Sequence, residues 1–249
     1  MNGRWKRALI IGASSGIGEA IAKQLAQQGC KVALVARRET ELLRIAAPLN
    51  ATQPQTALTY VNDVRSIESI PELFNRITHE LGGLDLVIYA SGVMPMLAEG
   101  EFSTHKDRQM IDTNFLGAVA WLNEAGDRFV KMKSGTIVGI SSVAGDRGRQ
   151  GHPVYGATKA ALNSYLESLY NRMSKLGVKV VNVKPGPVHT PMTSEMIKMP
   201  MAISADQAAS EILSAAARGT KVAYVPWRWR PIMWIIRSIP SFLFKRLSI

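Results

Sequence analysis

The chain of 249 residues has a single cysteine, Cys30, and lacks internal repeats and low-complexity tracts. One thiol cannot form an internal disulfide or a cysteine-based metal cluster, so a disulfide-stapled fold is excluded and a reducing compartment fits. These exclusions leave an ordinary globular protein with a hydrophobic core. The length suits one sizeable α/β domain with a well-buried core.

Long hydrophobic runs are also missing. No stretch has the roughly 18 uninterrupted apolar residues that a membrane-spanning helix requires. The basic start is followed by the apolar residues 8–11, a run too short for the core of a signal peptide. We interpret that run as a first strand and expect a cytoplasmic protein, either free or peripheral at the cytoplasmic face of a membrane.

Acidic side chains are scarce: 19 Asp and Glu face 30 Lys and Arg, which gives a formal net charge of +11. This excess suits an anionic cofactor, an anionic membrane surface or nucleic acid, and composition alone does not choose among them. Much of it lies at the two ends, in residues 4–7 and 228–246. The sequence contains no nucleic-acid-binding motif, so we expect no nucleic-acid partner.

Short apolar runs alternate with helical periods along most of the chain. Strands are predicted at residues 8–11, 32–36, 57–61, 84–89, 136–140, 178–183 and 222–225. Helices are predicted after the first strand up to residue 29 and at residues 39–49, 66–81, 103–131, 153–175 and 205–218. This alternation predicts a parallel sheet covered on both faces, a doubly wound α/β domain over residues 1–226.

Three local features refine this pattern. Ser66 is expected to cap its helix, and Gly117 and Gly126 are expected to be weak points of the helix at 103–131. The segment that follows Pro185 carries several prolines, so we expect it to be irregular and to act as a lid.

Three glycines, Gly12, Gly16 and Gly18, lie between the first strand and the first helix. In this setting backbone amides and a helix N-terminus can hold a pyrophosphate, whereas a simple tight turn would need only one glycine. The spacing therefore predicts a dinucleotide site. The second strand ends in Arg37 and Arg38, where an acid would bind a ribose 2′-hydroxyl and arginine suits a 2′-phosphate, so NADP is favoured.

Tyr155 and Lys159 lie four residues apart in a predicted helix and leave it on the same face. A neighbouring ammonium favours the ionised phenol, so the pair predicts a proton donor or acceptor that works closer to neutral pH. Ser142 follows the strand at 136–140, at the edge where an open α/β sheet keeps its ligands. Its hydroxyl can bond the oxygen that Tyr155 protonates.

Together these motifs resemble the short-chain dehydrogenase/reductases over about residues 6–226. The matching elements, in family order, are Gly12-Ala-Ser-Ser-Gly-Ile-Gly18, Asp63, Tyr89-Ala-Ser-Gly92, Asn114, Ser142, Tyr155-x-x-x-Lys159 and Pro185-Gly-Pro-Val-His-Thr190. The resemblance implies a single Rossmann-type domain with a seven-stranded parallel sheet. It also implies hydride transfer to or from a nicotinamide.

The resemblance also implies roles for individual residues. Tyr155 is the acid/base, Lys159 lowers its pKa and binds the nicotinamide ribose, Ser142 orients the substrate oxygen, and Asn114 supports a proton relay through water. The predicted cofactor residues are Gly12, Ser14, Ser15, Gly16, Ile17, Gly18, Arg37, Arg38, Asp63, Val64, Ala90, Ser91, Gly92, Tyr155, Lys159, Pro185, Gly186, Val188 and Thr190. The chain departs from the family at Ala90, where an asparagine is usual, and we expect the loss of a strand-bracing hydrogen bond.

Residues 227–249 continue beyond the core pattern and combine tryptophans, cations and an apolar run. Pro231 and Pro240 are expected to break this tail into two pieces. Tryptophan and arginine beside an apolar face are typical of a helix lying in a membrane interface. The alternative is that the aromatic residues pack on the chain's own body or on a second subunit.

The sequence therefore predicts an NADP(H)-dependent carbonyl reductase that acts on a small, apolar or lipid-like ketone or aldehyde. The alternatives are an NAD-dependent secondary-alcohol dehydrogenase and a non-catalytic NADP(H)-binding sensor or scaffold at a membrane. A homo-oligomer is implied by the family. No metal site is expected, since His152 and His189 lack ligand partners. The loop at residues 192–201 is expected to govern substrate choice.

Overall fold

A computed structural model describes residues 4–98, 100–194 and 199–247. Within them, seven parallel strands form one sheet in the order β3-β2-β1-β4-β5-β6-β9, and two short strands, β7 and β8, pair separately. The strands are β1 Arg7–Ile11, β2 Lys31–Ala36, β3 Ala57–Val61, β4 Leu86–Tyr89, β5 Gly135–Ile140, β6 Val178–Pro185, β7 Val188–His189, β8 Ile203–Ser204 and β9 Val222–Val225. The predicted doubly wound fold class is confirmed.

Helices cover both faces of this sheet. They are α1 Gly16–Gln27, α2 Glu39–Thr52, α3 Ile70–Glu80, α4 Thr104–Ile111, α5 Gly117–Met132, α6 Pro153–Met173, α7 Ala205–Arg218, α8 Trp229–Ser238 and α9 Ser241–Phe244. Successive residues of a strand face opposite sides, so Ile10 packs with α1, α2 and α7, whereas Leu9 and Ile11 pack with α3, α5 and α6. This arrangement explains the continuous apolar strand sequences.

Two predicted helices differ from the expectation. The helix at 66–81 begins with a 3-10 turn at Ile67–Ser69, and the Ser66 side chain makes no capping hydrogen bond, so the predicted cap is wrong. The helix at 103–131 is divided by a π-helical segment at Asp112–Leu116. The periodicity could not show this segment because one inserted residue leaves both flanking helical patterns intact.

Gly117 is the first residue of α5 and directly follows the π-helical segment, whereas Gly126 lies inside α5 and does not interrupt it, so the predicted weak point at Gly126 is wrong. Gly117 is a contact position: a β-carbon there would come within 2.8 Å of the Val64 carbonyl oxygen and 2.9 Å of the Tyr89 hydroxyl. The missing side chain lets the start of α5 pack closely against β4.

The segment after Pro185 is more regular than expected, because Val188 pairs with Ile203 in the small β7-β8 sheet. A 3-10 turn follows at Pro191–Thr193, where Thr190 and Thr193 form a capping box. Residues 195–198 of the predicted substrate loop lie outside the described residues.

The C-terminal segment, residues 227–247, forms α8 and α9. Pro240 separates the two helices as predicted, but Pro231 lies in the first turn of α8, where its missing N–H has no intrahelical partner to lose. Trp229 and Met233 of α8 are buried against Val143. Across residues 4–98, 100–194 and 199–247, no helix has the length and apolar character needed to cross a bilayer.

A buried ion pair ties the turn after β5 to two strands of the sheet. The Lys184 ammonium lies 2.5 Å from one carboxylate oxygen of Asp146, and the Tyr224 hydroxyl donates to the other oxygen at 2.7 Å. The Lys184 side chain is 10 % exposed and that of Asp146 is 2 % exposed. The carboxylate is thus the shared acceptor for groups from β6 and β9.

Asp146→Ala is expected to destabilise the protein by about 3–5 kcal/mol, because it leaves the Lys184 ammonium buried without its partner. The double variant Asp146→Ala with Lys184→Met should recover much of this loss, since no unpaired charge remains. Urea unfolding of both variants measures the difference. If Asp146→Ala were as stable as the parent, the Asp146–Lys184 ion pair would not contribute to the stability of the fold.

Candidate active site

A cleft opens at the edge of the sheet where the parallel strands end, and its lining contains nearly all the predicted functional residues. Every predicted cofactor residue lines it except Asp63, and so do Ser142, Tyr155 and Lys159. Among the residues predicted to act in catalysis, Asn114 alone does not line it. Residues far apart in sequence meet here because the strands share one direction.

The glycine turn forms the floor of one half of the cleft by direct backbone packing. A β-carbon on Gly12 would lie 2.5 Å from the Ser91 nitrogen, and one on Gly18 would lie 2.2 Å from the Gly12 carbonyl oxygen. Gly12 and Gly16 also have positive φ angles of 92° and 56°. Side chains at these positions would fill the cradle or strain the turn, so three glycines are required rather than one.

The two arginines at the end of β2 have different environments. The Arg38 guanidinium donates to the hydroxyls of Ser14 at 2.9 Å and Ser15 at 3.0 Å, so it lies directly over the glycine turn. The Arg37 side chain is exposed at the same rim. Both cations are therefore available to an anion held by the turn.

Asp63 lies outside the cleft lining, whereas its neighbours Asn62 and Val64 belong to it. Its carboxylate accepts hydrogen bonds from the Arg65 side chain and the Arg65 backbone. These bonds are the main cause of its lowered pKa, to which Arg37 adds a smaller electrostatic effect. Contact of Asp63 with an adenine stays a prediction.

Three groups converge at the other half of the cleft. Ser142 follows β5 and precedes the 3-10 turn Val143–Asp146, where its hydroxyl accepts from the Ala144 amide at 3.1 Å. Tyr155 and Lys159 lie one turn apart in α6, and the Lys159 nitrogen is 5.8 Å from the centre of the Tyr155 ring. That nitrogen donates to the Ile140 carbonyl at 3.0 Å, which anchors α6 to the end of β5.

Burial dominates the acidity of these groups. It raises the pKa of Tyr155, while hydrogen bonding with Ser142 lowers that pKa. Burial also lowers the pKa of Lys159 to about 8. The sequence led us to expect that the Lys159 cation would lower the pKa of Tyr155. In the folded chain desolvation of the phenolate raises this pKa instead, and the opposing effect comes from Ser142.

Asn114 is fully buried in the π-helical segment and clamps the loop that follows β4. Its amide oxygen accepts from the Val93 nitrogen at 2.7 Å, and its amide nitrogen donates to the Val93 carbonyl at 2.9 Å and to the Thr158 hydroxyl at 3.3 Å. It thereby joins this loop to the helix that carries Tyr155 and Lys159. Its role in a proton relay stays a prediction.

The hydrogen bond that the family's asparagine makes is absent at Ala90, but Tyr89, one residue earlier, makes a different one at the end of β4. The buried Tyr89 hydroxyl donates to the Thr113 carbonyl at 2.5 Å and so links the end of β4 to the π-helical segment. The Ala90 amide also bonds to the Ile11 carbonyl at 2.7 Å. The strand end is therefore held from both sides.

Several lining residues were not predicted. Those at strand ends, Ala36, Asn62, Ile140 and Ser141, could have been found from the rule that ligands bind at carboxyl ends of parallel strands. Val93, Thr113 and Pro191 come from loops and a helix whose course the sequence pattern does not specify. Met192 and Thr193, which also line the cleft, belong to the loop at residues 192–201 that was predicted to govern substrate choice. His152 and His189 are not among the lining residues.

Comparisons with known proteins agree with this arrangement. A family model described as short chain dehydrogenase matches residues 6–200. An oxidoreductase of Mycobacterium tuberculosis is 30% identical over 246 residues, covering 98% of this chain and 97% of its own length. An oxidoreductase of Staphylococcus epidermidis is 37% identical over 188 residues, covering 76% of this chain and 80% of its own.

Among solved structures, ElxO with NADP bound superposes with a TM-score of 0.80 and 25% identity. The match covers 89% of this chain and 97% of that one. The similarity extends over most of both molecules.

The buried ammonium of Lys159 predicts a pH dependence of stability. Its folded pKa of about 8 lies below the ordinary value of 10.5, so the unfolded chain binds the extra proton between these values. The free energy of unfolding should therefore rise with pH through this window, by up to about 3 kcal/mol relative to Lys159→Met. Urea unfolding of both proteins at several pH values provides the comparison. Parallel profiles would contradict the prediction.

Proposed function

The chain belongs to the short-chain dehydrogenase/reductase family and is an oxidoreductase, and from this premise we propose that it is an NADPH-dependent reductase of ketones or aldehydes. The observation that carries the proposal is the convergence of Ser142, Tyr155 and Lys159 beside the glycine cradle in one cleft. Proton-transferring groups and a cofactor cradle are the two parts that such a reaction needs.

The residues present fit a dinucleotide with a 2′-phosphate. The cradle is lined by backbone at Gly12 and Gly18, which leaves room for a pyrophosphate at the start of α1. Arg37 and Arg38 supply positive charge at the end of β2, where an acid would instead favour NAD. The solved relative ElxO contains NADP, which supports the same choice here.

The proposed reaction divides between cofactor and protein. When bound in the cradle, NADPH would supply the hydride that the carbonyl carbon receives and would leave as NADP⁺. Tyr155 gives its hydroxyl proton to the carbonyl oxygen, so that an alcohol forms and the resulting phenolate is reprotonated from solvent. Ser142 donates a hydrogen bond to the same oxygen, and the Lys159 ammonium stabilises the phenolate and binds the nicotinamide ribose.

An apolar substrate is part of the proposal. Met192 lines the cleft with its methyl group 3.6 Å from the β-carbon position of Gly92, and Val93 lines it as well. Apolar groups in the lining of the cleft favour a lipid-like ketone or aldehyde. A peripheral position at a membrane and a homo-oligomer, which the family implies, belong to the same proposal.

Loss of NADPH absorbance in the presence of ketones and aldehydes of increasing chain length tests the reaction. We expect turnover that rises with chain length and is faster with NADPH than with NADH. Tight binding of NADPH without turnover of any carbonyl would favour a sensor instead.

Tyr155→Phe is expected to lower kcat by about 10²–10⁴, because the general acid is lost while the ring and the cradle are retained. Binding of NADPH, followed by its fluorescence, should change little. Ser142→Ala provides a second measurement at the same oxygen, with a smaller expected loss. Unchanged turnover in the Tyr155→Phe variant would exclude this mechanism.

Arg37→Asp is expected to reverse the cofactor preference. Loss of a charge-assisted contact with the 2′-phosphate is worth about 1.5–3 kcal/mol, so kcat/KM with NADPH should fall roughly ten- to hundredfold while that with NADH rises. The control is Lys175→Asp, which changes the charge equally in the 3-10 turn Ser174–Leu176 beyond the far end of α6. If both variants behave alike, Arg37 does not read the 2′-phosphate.

A further inference from the structure

The C-terminal segment has two faces of different character. Met233 and Trp229 of α8 are buried, with Ile232 and Ile236 packed beside them. At about 100° per residue, Ile235 lies about 200° from Met233 and Trp234 about 140° from Trp229, on the side of α8 away from the buried residues. Trp234 is 73 % exposed and Ile235 is 57 % exposed. The face of α8 that carries Trp229 and Met233, its inner face, is apolar because it packs on the rest of the chain. The outer face, which carries Trp234 and Ile235, is apolar without such a contact among the described residues.

Exposed aromatic residues also precede and follow α8, and together with Trp234 and Ile235 they make up what we call the outer face of the segment. Trp227 before this helix is 69 % exposed, and Phe242 in α9 is 62 % exposed. Arg147 holds the two helices together: its guanidinium donates to the carbonyl oxygens of Ile236 and Ile239 and lies 3.8 Å from the centre of the Phe244 ring. The exposed aromatic residues are thus displayed on a braced element and not on a free tail.

The charge of this segment is of one sign. Residues 227–247 contain five cations and no acid; the cations are Arg228, Arg230, Arg237, Lys245 and Arg246. A second copy of the chain meeting this face would bring like charges together, whereas an anionic phospholipid surface would neutralise them. Tryptophan beside cations and aliphatic side chains is the composition of helices that lie in a membrane interface.

The segment also contacts both loops that build the catalytic half of the cleft. Val143, against which Trp229 and Met233 pack, is the residue after Ser142. The Trp229 ring lies so close to Gly186 that a β-carbon there would be 1.9 Å from the indole nitrogen. A membrane or protein that binds the outer face of α8 would therefore lie directly behind the helix that supports the turn after Ser142 and the loop at Gly186.

We infer that the outer face of residues 227–247 binds an anionic phospholipid bilayer and that this docking brings membrane-dissolved substrate to the cleft. The inference rests on the proposed function and deepens it by naming the lipid charge, the docking face and its connection to the catalytic loops. Binding itself requires no turnover, so the two can fail separately.

The test uses the full chain and sedimentation with vesicles of phosphatidylcholine, with or without phosphatidylglycerol. We expect affinity for the anionic vesicles to be at least about tenfold higher and to fall as salt is raised, because each cation near the surface adds to binding. Trp234→Glu with Phe242→Glu should abolish binding. The control, Leu43→Glu with Met132→Glu, places the same charges on exposed apolar positions of α2 and α5 and should bind like the parent.

Turnover of a short, water-soluble carbonyl is measured for all variants alongside binding. The inference is supported if all variants turn over the short carbonyl equally and only the Trp234→Glu/Phe242→Glu variant fails to sediment with vesicles. Anionic vesicles should then speed reduction of a long-chain substrate by the parent and by the control, but not by that variant. Absence of parent sedimentation, or equal binding to both vesicle types, would overturn it. A change of oligomeric state in the same variant, seen by size-exclusion chromatography, would assign the face to a second copy and overturn it as well.

Discussion

The contact of backbone with backbone between Gly12 and Ser91 is the constraint on which the site depends. Strand order reverses between β1 and β4, because the chain runs outward through β2 and β3 before it returns beside β1. Neighbouring connections leave on opposite faces at such a point and open a crevice. A β-carbon on Gly12 would lie 2.5 Å from the Ser91 nitrogen, so the crevice keeps its shape only with glycine there.

Burial connects this architecture to chemistry. The Lys159 ammonium is removed from water when α6 packs onto the sheet, and the Ile140 carbonyl provides its hydrogen-bond acceptor. The same packing raises the pKa of Tyr155, against which the Ser142 hydroxyl acts. The packing of α6 on the sheet thus positions Tyr155, the proposed acid, beside the Lys159 cation. It also shifts the pKa values of both groups through burial.

The C-terminal segment packs against the loops that line the cleft. Arg147, five residues after Ser142, binds carbonyl groups at the end of α8, where a cation is favoured by the helix dipole. Trp229 packs on Gly186, which also lines the cleft. One short amphipathic helix therefore contacts both the turn after Ser142 and the loop at Gly186, and its outer surface has a different composition.

The sequence by itself determined the fold class, the positions of the seven strands of the main sheet and most of the cleft. Strands buried on both faces must be apolar throughout, and turns that approach a phosphate must lack side chains, so both features are local and visible in Ala8–Ile11 and Gly12–Gly18. The Tyr155 and Lys159 pair was visible for the same reason, since helical spacing is a local property.

Only the tertiary structure decided how these residues act on one another. Asn114 contacts Val93, Arg38 binds Ser14 and Ser15, and Lys184 pairs with Asp146. The sequence pattern predicted none of these contacts. The pKa values of Tyr155 and Lys159 likewise follow from burial. Periodicity specifies which face of an element is apolar, but it does not specify which polar groups meet when the elements pack, because that depends on distances set by the whole fold.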